Sequence, residues 1–313
     1  MADAGELGSL LASGEQAVFH GRPADAVTAL EAAVVLAGSQ HREAETAGAF
    51  WLLGVALGAA GRYGGALTVL SPLVETAGLA GAAAERQLFG ALASSTIASV
   101  HRQLGRHAVA RDADLTAQSL AGPTGEGAFD AQLGLAADAV GLDDEVAART
   151  HAAAAERLIP AGAADWWRQR VRLGWVQADL ALLAGRAVDA AQVAQLSVDR
   201  AEEAQAPRHV AKSLLYLGIA QVTVAHTEGG PRLSLAAETL RRAAILAESL
   251  GTVPLVWPAR ALLGAVAAGS DSGESTASLA AARSGVLTIA ADLPPGVRGE
   301  WLARPDVAAL LEG

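Results

Sequence analysis

Apolar positions along this chain fall three or four residues apart. Phe50, Leu53 and Leu57 make one such series, and Ala66, Leu70 and Leu73 make the next. That spacing places them on one face of a helix. Runs of β-branched and aromatic residues are sparse, and no segment shows the strict alternation of a half-buried strand. The pattern predicts helices in pairs, at about 5–20 with 23–38, 41–60 with 63–78, 82–104 with 106–120, and 127–140 with 143–158. It continues at 165–184 with 186–204, 208–225 with 233–250, and 257–268 with 275–290. Pro294-Pro295 stops the series, and 296–313 reads as one or two short closing helices.

A turn recurs between the members of the first five pairs. It reads His20-Gly21-Arg22-Pro23, Ala60-Gly61-Arg62-Tyr63, Leu104-Gly105-Arg106-His107, Val140-Gly141-Leu142-Asp143 and Ala184-Gly185-Arg186-Ala187. The gaps between the glycines are 40, 44, 36 and 44 residues. Each glycine is expected to end a helix in the left-handed conformation. Alanine follows five residues later at Ala26, Ala66, Ala110 and Ala190, where a small side chain lets two helices approach; Val146 breaks the rule. Pro23, Pro207 and Pro258 suit first helical positions. Pro72 is expected to kink or end its helix. Asp165, and Ser272 or Gly273, are candidate caps. Insertions at Thr227-Glu228-Gly229-Gly230-Pro231 and Gly269-Ser270-Asp271-Ser272-Gly273 loosen the pattern beyond residue 225.

The second pair carries Phe50-x-x-Leu53-Gly54-x-x-Leu57-x-x-x-Gly61-x-Tyr63-x-x-Ala66-x-x-x-Leu70-x-x-Leu73, and Leu217-Gly218 and Leu263-Gly264 repeat its Leu-Gly element. This resembles the tetratricopeptide repeat. The period averages near 40 residues rather than that repeat's 34, which adds about a turn and a half of helix. Similar long-period repeats occur in sensor segments of large bacterial transcription regulators. The resemblance implies an all-α fold: a right-handed α-solenoid of about seven hairpins with a closing segment, in one domain over 1–313. A helical bundle without repeat stacking is the alternative.

Composition sharpens this picture. Of 313 residues, 76 are Ala, 43 Leu and 34 Gly, and hydrophobic residues make up 52% against 18% charged. Disorder is excluded, and the absence of cysteine excludes a disulfide scaffold. The excess of Ala, Gly and Arg over Lys is the codon signature of a GC-rich bacterial genome. Net charge is −10, and the basic residues, all Arg except Lys212, are scattered. Direct nucleic-acid binding needs a basic patch and is not expected. Neither a signal peptide nor an apolar run long enough to span a membrane is present, so a cytoplasmic location without membrane association is expected.

Catalytic motifs are missing. No glycine run precedes Lys212, which removes a phosphate-binding Walker loop; Gly122-Pro123-Thr124-Gly125-Glu126-Gly127 follows a helix and reads as a linker. There is no His-Glu-x-x-His and no nucleophile elbow. His101 and His107 are six apart and share no helix face, and the histidines read as exposed or turn residues. Asp143-Asp144, at a helix start, reads as dipole stabilisation rather than a catalytic pair. The expectation is a protein that is not an enzyme and needs no cofactor or metal.

In the tetratricopeptide family the first helices line a concave groove. The resemblance therefore implies a binding surface of Trp51; Ser95, Ser99, Arg102 and Gln103; Asp138; Arg172, Trp175 and Asp179; and Lys212. Glu15, Val55, Leu135, Leu215 and Ile219 complete it. Such a surface suits an extended peptide, with Arg102 and Arg172 taking carboxylates and Trp175 an apolar anchor. Trp51 and Trp175 read equally as core residues. Arg168, Arg170 and Arg172 form the densest basic run, and the adjacent Trp166 and Trp167 cannot share a helix face. With one Lys and no Asn, the Lys/Asn carboxylate clamp of chaperone-binding members is not expected. The leading reading is a non-catalytic protein- or peptide-binding module. The alternative is a regulator sensing a small peptide or metabolite and acting through another protein. An enzyme with an unsignalled site and a self-associating structural piece are further options, since apolar array ends can make a homo-oligomer.

Overall fold

The computed structural model describes residues 2–228 and 232–313. Among these residues there are sixteen α-helices, one short 3-10 turn and no strand. Met1 and the Gly229-Gly230-Pro231 part of the predicted insertion lie outside them. The chain divides into two compact units, Met1–Ile159 and Pro160–Gly313.

The first unit holds α1 (Ala2–His20), α2 (Pro23–Ser39), α3 (Glu43–Ala59), α4 (Tyr63–Ala77), α5 (Ala84–Gln103), α6 (His107–Leu120), α7 (Gly125–Gly141) and α8 (Glu145–Leu158). Each helix packs on the next, and the first helix of each hairpin also packs on the first helix of the following one: α1 on α3, α3 on α5, α5 on α7. The second unit begins with the 3-10 turn Ala164–Trp166. It continues through α9 (Trp167–Leu183), α10 (Ala187–Glu203), α11 (Pro207–Glu228), α12 (Arg232–Leu250), α13 (Val253–Ala267) and α14 (Ser272–Asp292). There α9 packs on α11 and α11 on α13, and the short α15 (Pro295–Leu302) and α16 (Pro305–Glu312) close onto α14. In each unit this serial pairing is that of an all-α solenoid.

The turn glycines explain the hairpins, with two corrections, at Gly141 and Gly21. Gly61, Gly105 and Gly185 take φ of 83°, 77° and 71°, beyond the ends of α3, α5 and α9. Ala66, Ala110 and Ala190, five residues on, are fully buried. Gly141 instead remains the last residue of α7, and Asp143 takes the left-handed conformation at φ 58°. Counting five from Asp143 gives Ala148, which is fully buried, while Val146 is exposed. The fourth hairpin therefore keeps the rule once its turn is placed two residues later. Gly21 precedes α2 without a left-handed φ.

Pro72 does not end α4, which runs on to Ala77. Pro72 is exposed, so the Thr68 carbonyl it leaves without a helix donor lies on the exposed side. Pro258 lies inside α13 rather than at its start, which is set by Val253-Pro254. Asp144 caps α8 by accepting the Ala147 N–H at 2.9 Å, and Asp271, not Ser272 or Gly273, caps α14 through the Glu274 N–H. Asp165 falls within the 3-10 turn, and α9 has no side-chain cap.

A second regularity sets how closely the helices cross. A Cβ placed on Gly14, Gly54, Gly174, Gly218 or Gly264 would lie 2.1 to 2.7 Å from Leu30, Leu70, Ser197, Leu240 or Leu279, each on the second helix of the same hairpin. These glycines, with Ser94 and Gly134, fall at intervals of 40, 40, 40, 40, 44 and 46 residues. At the third crossing the Ser94 hydroxyl donates to the Ala113 carbonyl at 2.7 Å.

Gly90 is tighter still, because its neighbours cannot rotate away. A Cβ there would meet the Ala77 Cβ at 2.2 Å and the Leu73 carbonyl at 3.2 Å. Gly90→Ala is expected to cost about 2–3 kcal/mol by overpacking α4 against α5, despite alanine's better helix propensity. Gly54→Ala, which presses only on the Leu70 side chain, is expected to cost less. Urea midpoints of the two variants check the order.

Candidate functional site

Two clusters gather most of the residues singled out in the sequence, one in each unit.

In the first unit, Arg102 near the end of α5 reaches α6 and α7. Its Nε donates to Asp138 Oδ1 at 2.8 Å, and its Nη2 to Asp114 Oδ2 at 2.5 Å, Asp138 Oδ2 at 3.1 Å and the Gly134 carbonyl at 3.2 Å. Both carboxylates are fully buried. His107 Nδ1 stands 3.8 Å from Asp138 Oδ1. Glycine makes the approach possible: a Cβ on Gly134 would lie 2.0 Å from Asp114 Oδ2, and one on Gly141 would lie 2.2 Å from the His107 ring. Burial and neighbouring Asp138 hold Asp114 well above the usual carboxylate range, against the pull of Arg102. Burial also raises Asp138, but His107 and Arg102 outweigh it and keep that carboxyl low.

This corrects the expectation that Arg102 receives a ligand's carboxylate and that Asp138 faces a groove. Each satisfies the other inside the unit, together with Asp114. Ser95 is also buried, beside Asp114. Gln103 Oε1 accepts from the Tyr63 hydroxyl at 3.0 Å, and its Nε2 donates to the Ser99 carbonyl at 3.3 Å, leaving both residues partly exposed. Trp51 is half-buried on α3, donating to Thr96 Oγ1 at 3.3 Å with its ring 6.3 Å from Phe89.

In the second unit, Arg172, Trp175, Asp179 and Lys212 meet on one face of α9 and α11. Trp175 is the centre of a stack. Its ring lies nearly parallel to those of His209, at 5.7 Å, and Tyr216, at 6.1 Å, and Trp167 meets His209 edge-on at 5.0 Å. The Trp175 Nε1–H donates to Ser213 Oγ at 2.8 Å, and the Tyr216 hydroxyl donates to Asp179 Oδ2 at 3.2 Å. Lys212 Nζ sits 4.3 Å from the centre of the Trp175 ring, a cation–π distance. Trp175 is only 7% exposed, so it is a core residue and not the apolar anchor of a groove.

Arg168 and Arg172 are one turn apart on α9, as Arg208 and Lys212 are on α11. Arg170 points elsewhere, donating to the Ala163 and Pro160 carbonyls of the segment before α9. The four cations act on the groups between them. Burial, with the charges of Arg168 and Arg172, pushes Arg208 down to about 10. Burial and all four cations push His209 well below its ordinary value, so it is neutral at pH 7. His209 is 2% exposed, which corrects its reading as a surface histidine.

Sequence reasoning missed Asp114, Arg208, His209, Ser213 and Tyr216. A signal existed for Asp114: with Ala110 and Ala117 it forms an i, i+4, i+7 series, so a charge stands on the alanine face. For α11 the signal was the one-turn spacing of Arg208–Lys212, His209–Ser213 and Lys212–Tyr216.

Among the described residues, no group of three or more His, Cys, Asp or Glu side chains is placed to hold a metal ion, and no helix is long and apolar enough to cross a membrane. Compared with known proteins, the chain matches no family model and no curated protein.

Proposed function

We propose that the chain is a non-catalytic interaction module of the tetratricopeptide type, a right-handed stack of about seven hairpins that holds a protein or peptide segment along its first helices. One observation carries this reading. Arg172 and Lys212, both partly exposed, lie on the two neighbouring first helices α9 and α11, both close enough to act on buried His209, and Lys212 stands 4.3 Å over the buried Trp175 ring. Partly exposed charges on a rigid apolar base are what a peptide-binding surface requires.

The test is a displayed peptide library selected against the full chain, with the double variant Arg172→Glu/Lys212→Glu as counter-target. Enriched peptides should bind the wild type and lose at least about tenfold in affinity for the variant, with its circular dichroism unchanged. Selection of peptides that bind both equally would overturn the reading.

A cavity of about 790 Å³ in the first unit favours the sensor alternative. Ala44, Ala47 and Phe50 of α3, with Val69, Pro72 and Leu73 of α4, give it an apolar lining, and the Arg86–Glu43 ion pair at 2.7 Å lies at its edge. That size and character suit a small apolar ligand.

A further inference from the structure

We propose that the cavity framed by α1, α3 and α5 is a docking site for a Lys or Arg side chain of a partner peptide. The proposal rests on the reading that the first helices form the binding surface, and names the chemistry that one part of that surface takes.

Three consecutive first helices build the cavity, whose volume is about 410 Å³. Leu11 and Glu15 line it from α1, Glu45, Gly48 and Trp51 from α3, and Phe89 from α5. Because α1 packs on α3 and α3 on α5, these side chains share one surface. Gly48 brings the α5 ring in: a Cβ there would lie 3.2 Å from the edge of Phe89. The Trp51 and Phe89 rings are 6.3 Å apart and inclined at 43°, so they form two walls rather than a stack. The Trp51 Nε1–H already donates to Thr96 Oγ1, so what Trp51 offers the cavity is its π system.

The rim is acidic. Glu15 is exposed, and its carboxylate has no ion-pair partner among the described residues. Glu45 is shared with Arg42; its own backbone N–H and that arginine hold its carboxyl below the ordinary value, so it stays ionised. The wider field has the same sign. Residues 1–159, the first unit, hold 18 of the chain's 33 acidic side chains and 9 of its 23 basic ones, a net −9 of the total −10.

Together these features select one class of side chain. An acidic side chain is repelled by Glu15 and by the field around it. A purely apolar one would cover the rings but shield Glu15 from water with nothing in return. Lys or Arg lays its methylenes along Leu11 and the ring faces, places its charge over Trp51, and keeps its head at the open edge beside Glu15.

A displayed library of short random peptides, selected on the full wild-type chain and counter-selected on Glu15→Lys, tests this. Recovered peptides should carry Lys or Arg at one fixed position. Fluorescence anisotropy of labelled peptides then reads three ratios. Changing the fixed cation to Met should weaken binding at least about tenfold, and Glu15→Lys at least about fivefold. Trp51→Leu, which keeps an apolar wall and loses the aromatic face, should weaken it about threefold or more. Glu15 is exposed, so Glu15→Lys should melt like the wild type. Peptides without a fixed cation, a Met twin that binds equally, or unchanged binding to Glu15→Lys would overturn the proposal. The peptide-binding reading survives that result if library peptides respond to Arg172→Glu/Lys212→Glu. A selection that recovers no peptide overturns both.

Discussion

Arg102→Met is expected to lower the unfolding free energy by about 3–5 kcal/mol, the usual cost of stranding a buried charge. Methionine keeps much of the volume but none of the donors. Asp114 and Asp138 would then face each other, fully buried, without the cation that joins them. The defect should depend on pH, and its sign follows from linkage. In the wild type the two carboxyls are displaced in opposite directions. Asp114, raised, loses its share of stability as pH rises; Asp138, lowered, loses its share as pH falls. Without Arg102, burial acts on both carboxyls without that opposing pull, so both folded-state pKa values rise and the folded variant binds protons more tightly than the folded wild type. Stability relative to the wild type then falls as pH rises through the folded pKa values and returns on acidification. Urea unfolding at pH 5 and pH 8 should show the larger deficit at pH 8. A deficit that is equal at both, or under about 1 kcal/mol, would mean that the network is not held as described. Adding Asp114→Asn to the variant should recover part of the loss, because it removes one of the two stranded charges.

Trp175→Ala is expected to cost a similar amount, about 3–5 kcal/mol, as a large aromatic removed from a packed core. The substitution removes the ring between His209 and Tyr216, the platform under Lys212, and the donor to Ser213 Oγ. Trp175→Phe keeps a stack and loses the hydrogen bond, and should cost about 1–2 kcal/mol. Thermal unfolding of both variants beside the wild type measures this. A Trp175→Ala protein that melted like the wild type would restore the residue to an exposed binding role.

The hairpins were legible because glycine and proline punctuate them, and because alanine and leucine leave little to compete with helix. The boundaries hold to within a few residues, even at the fourth turn, where Gly141 misled and Asp143 carries the left-handed bend. The crossings were legible in principle: Leu-Gly pairs at Leu53-Gly54, Leu133-Gly134 and Leu173-Gly174 stand at multiples of 40, with Ser94 at the position between the first two, a regularity that the turn glycines obscure because loop lengths vary while the crossing point does not.

Individual side chains were harder to read. Register along a first helix tells which residues share a face. It does not tell what reaches that face from elsewhere. Arg102 and Asp138 were placed together by register, but Asp114 arrives from the second helix α6 and completes a closed set. Trp175 shares its face with Arg172 and Asp179, yet α11 covers it with His209, Ser213 and Tyr216. The Arg168–Arg172 and Arg208–Lys212 pairs lie 40 residues apart in sequence, and only the packing of α9 on α11 makes them one cluster.

Repeat arrays grow and shrink by copying or losing whole hairpins, which is harmless when every junction is apolar and alike. The junction between the third and fourth hairpins here is not alike. Its cation comes from α5, one of its anions from α6 and the other from α7, and the fit needs the bare backbone of Gly134. Deleting the third hairpin would bring Asp138 against the second, without Arg102; duplicating the fourth would make a second Asp138 with no arginine opposite it. The trio thus acts as a key that admits one neighbour order, and fixes the sequence of modules in the first unit even where their shapes would allow exchange.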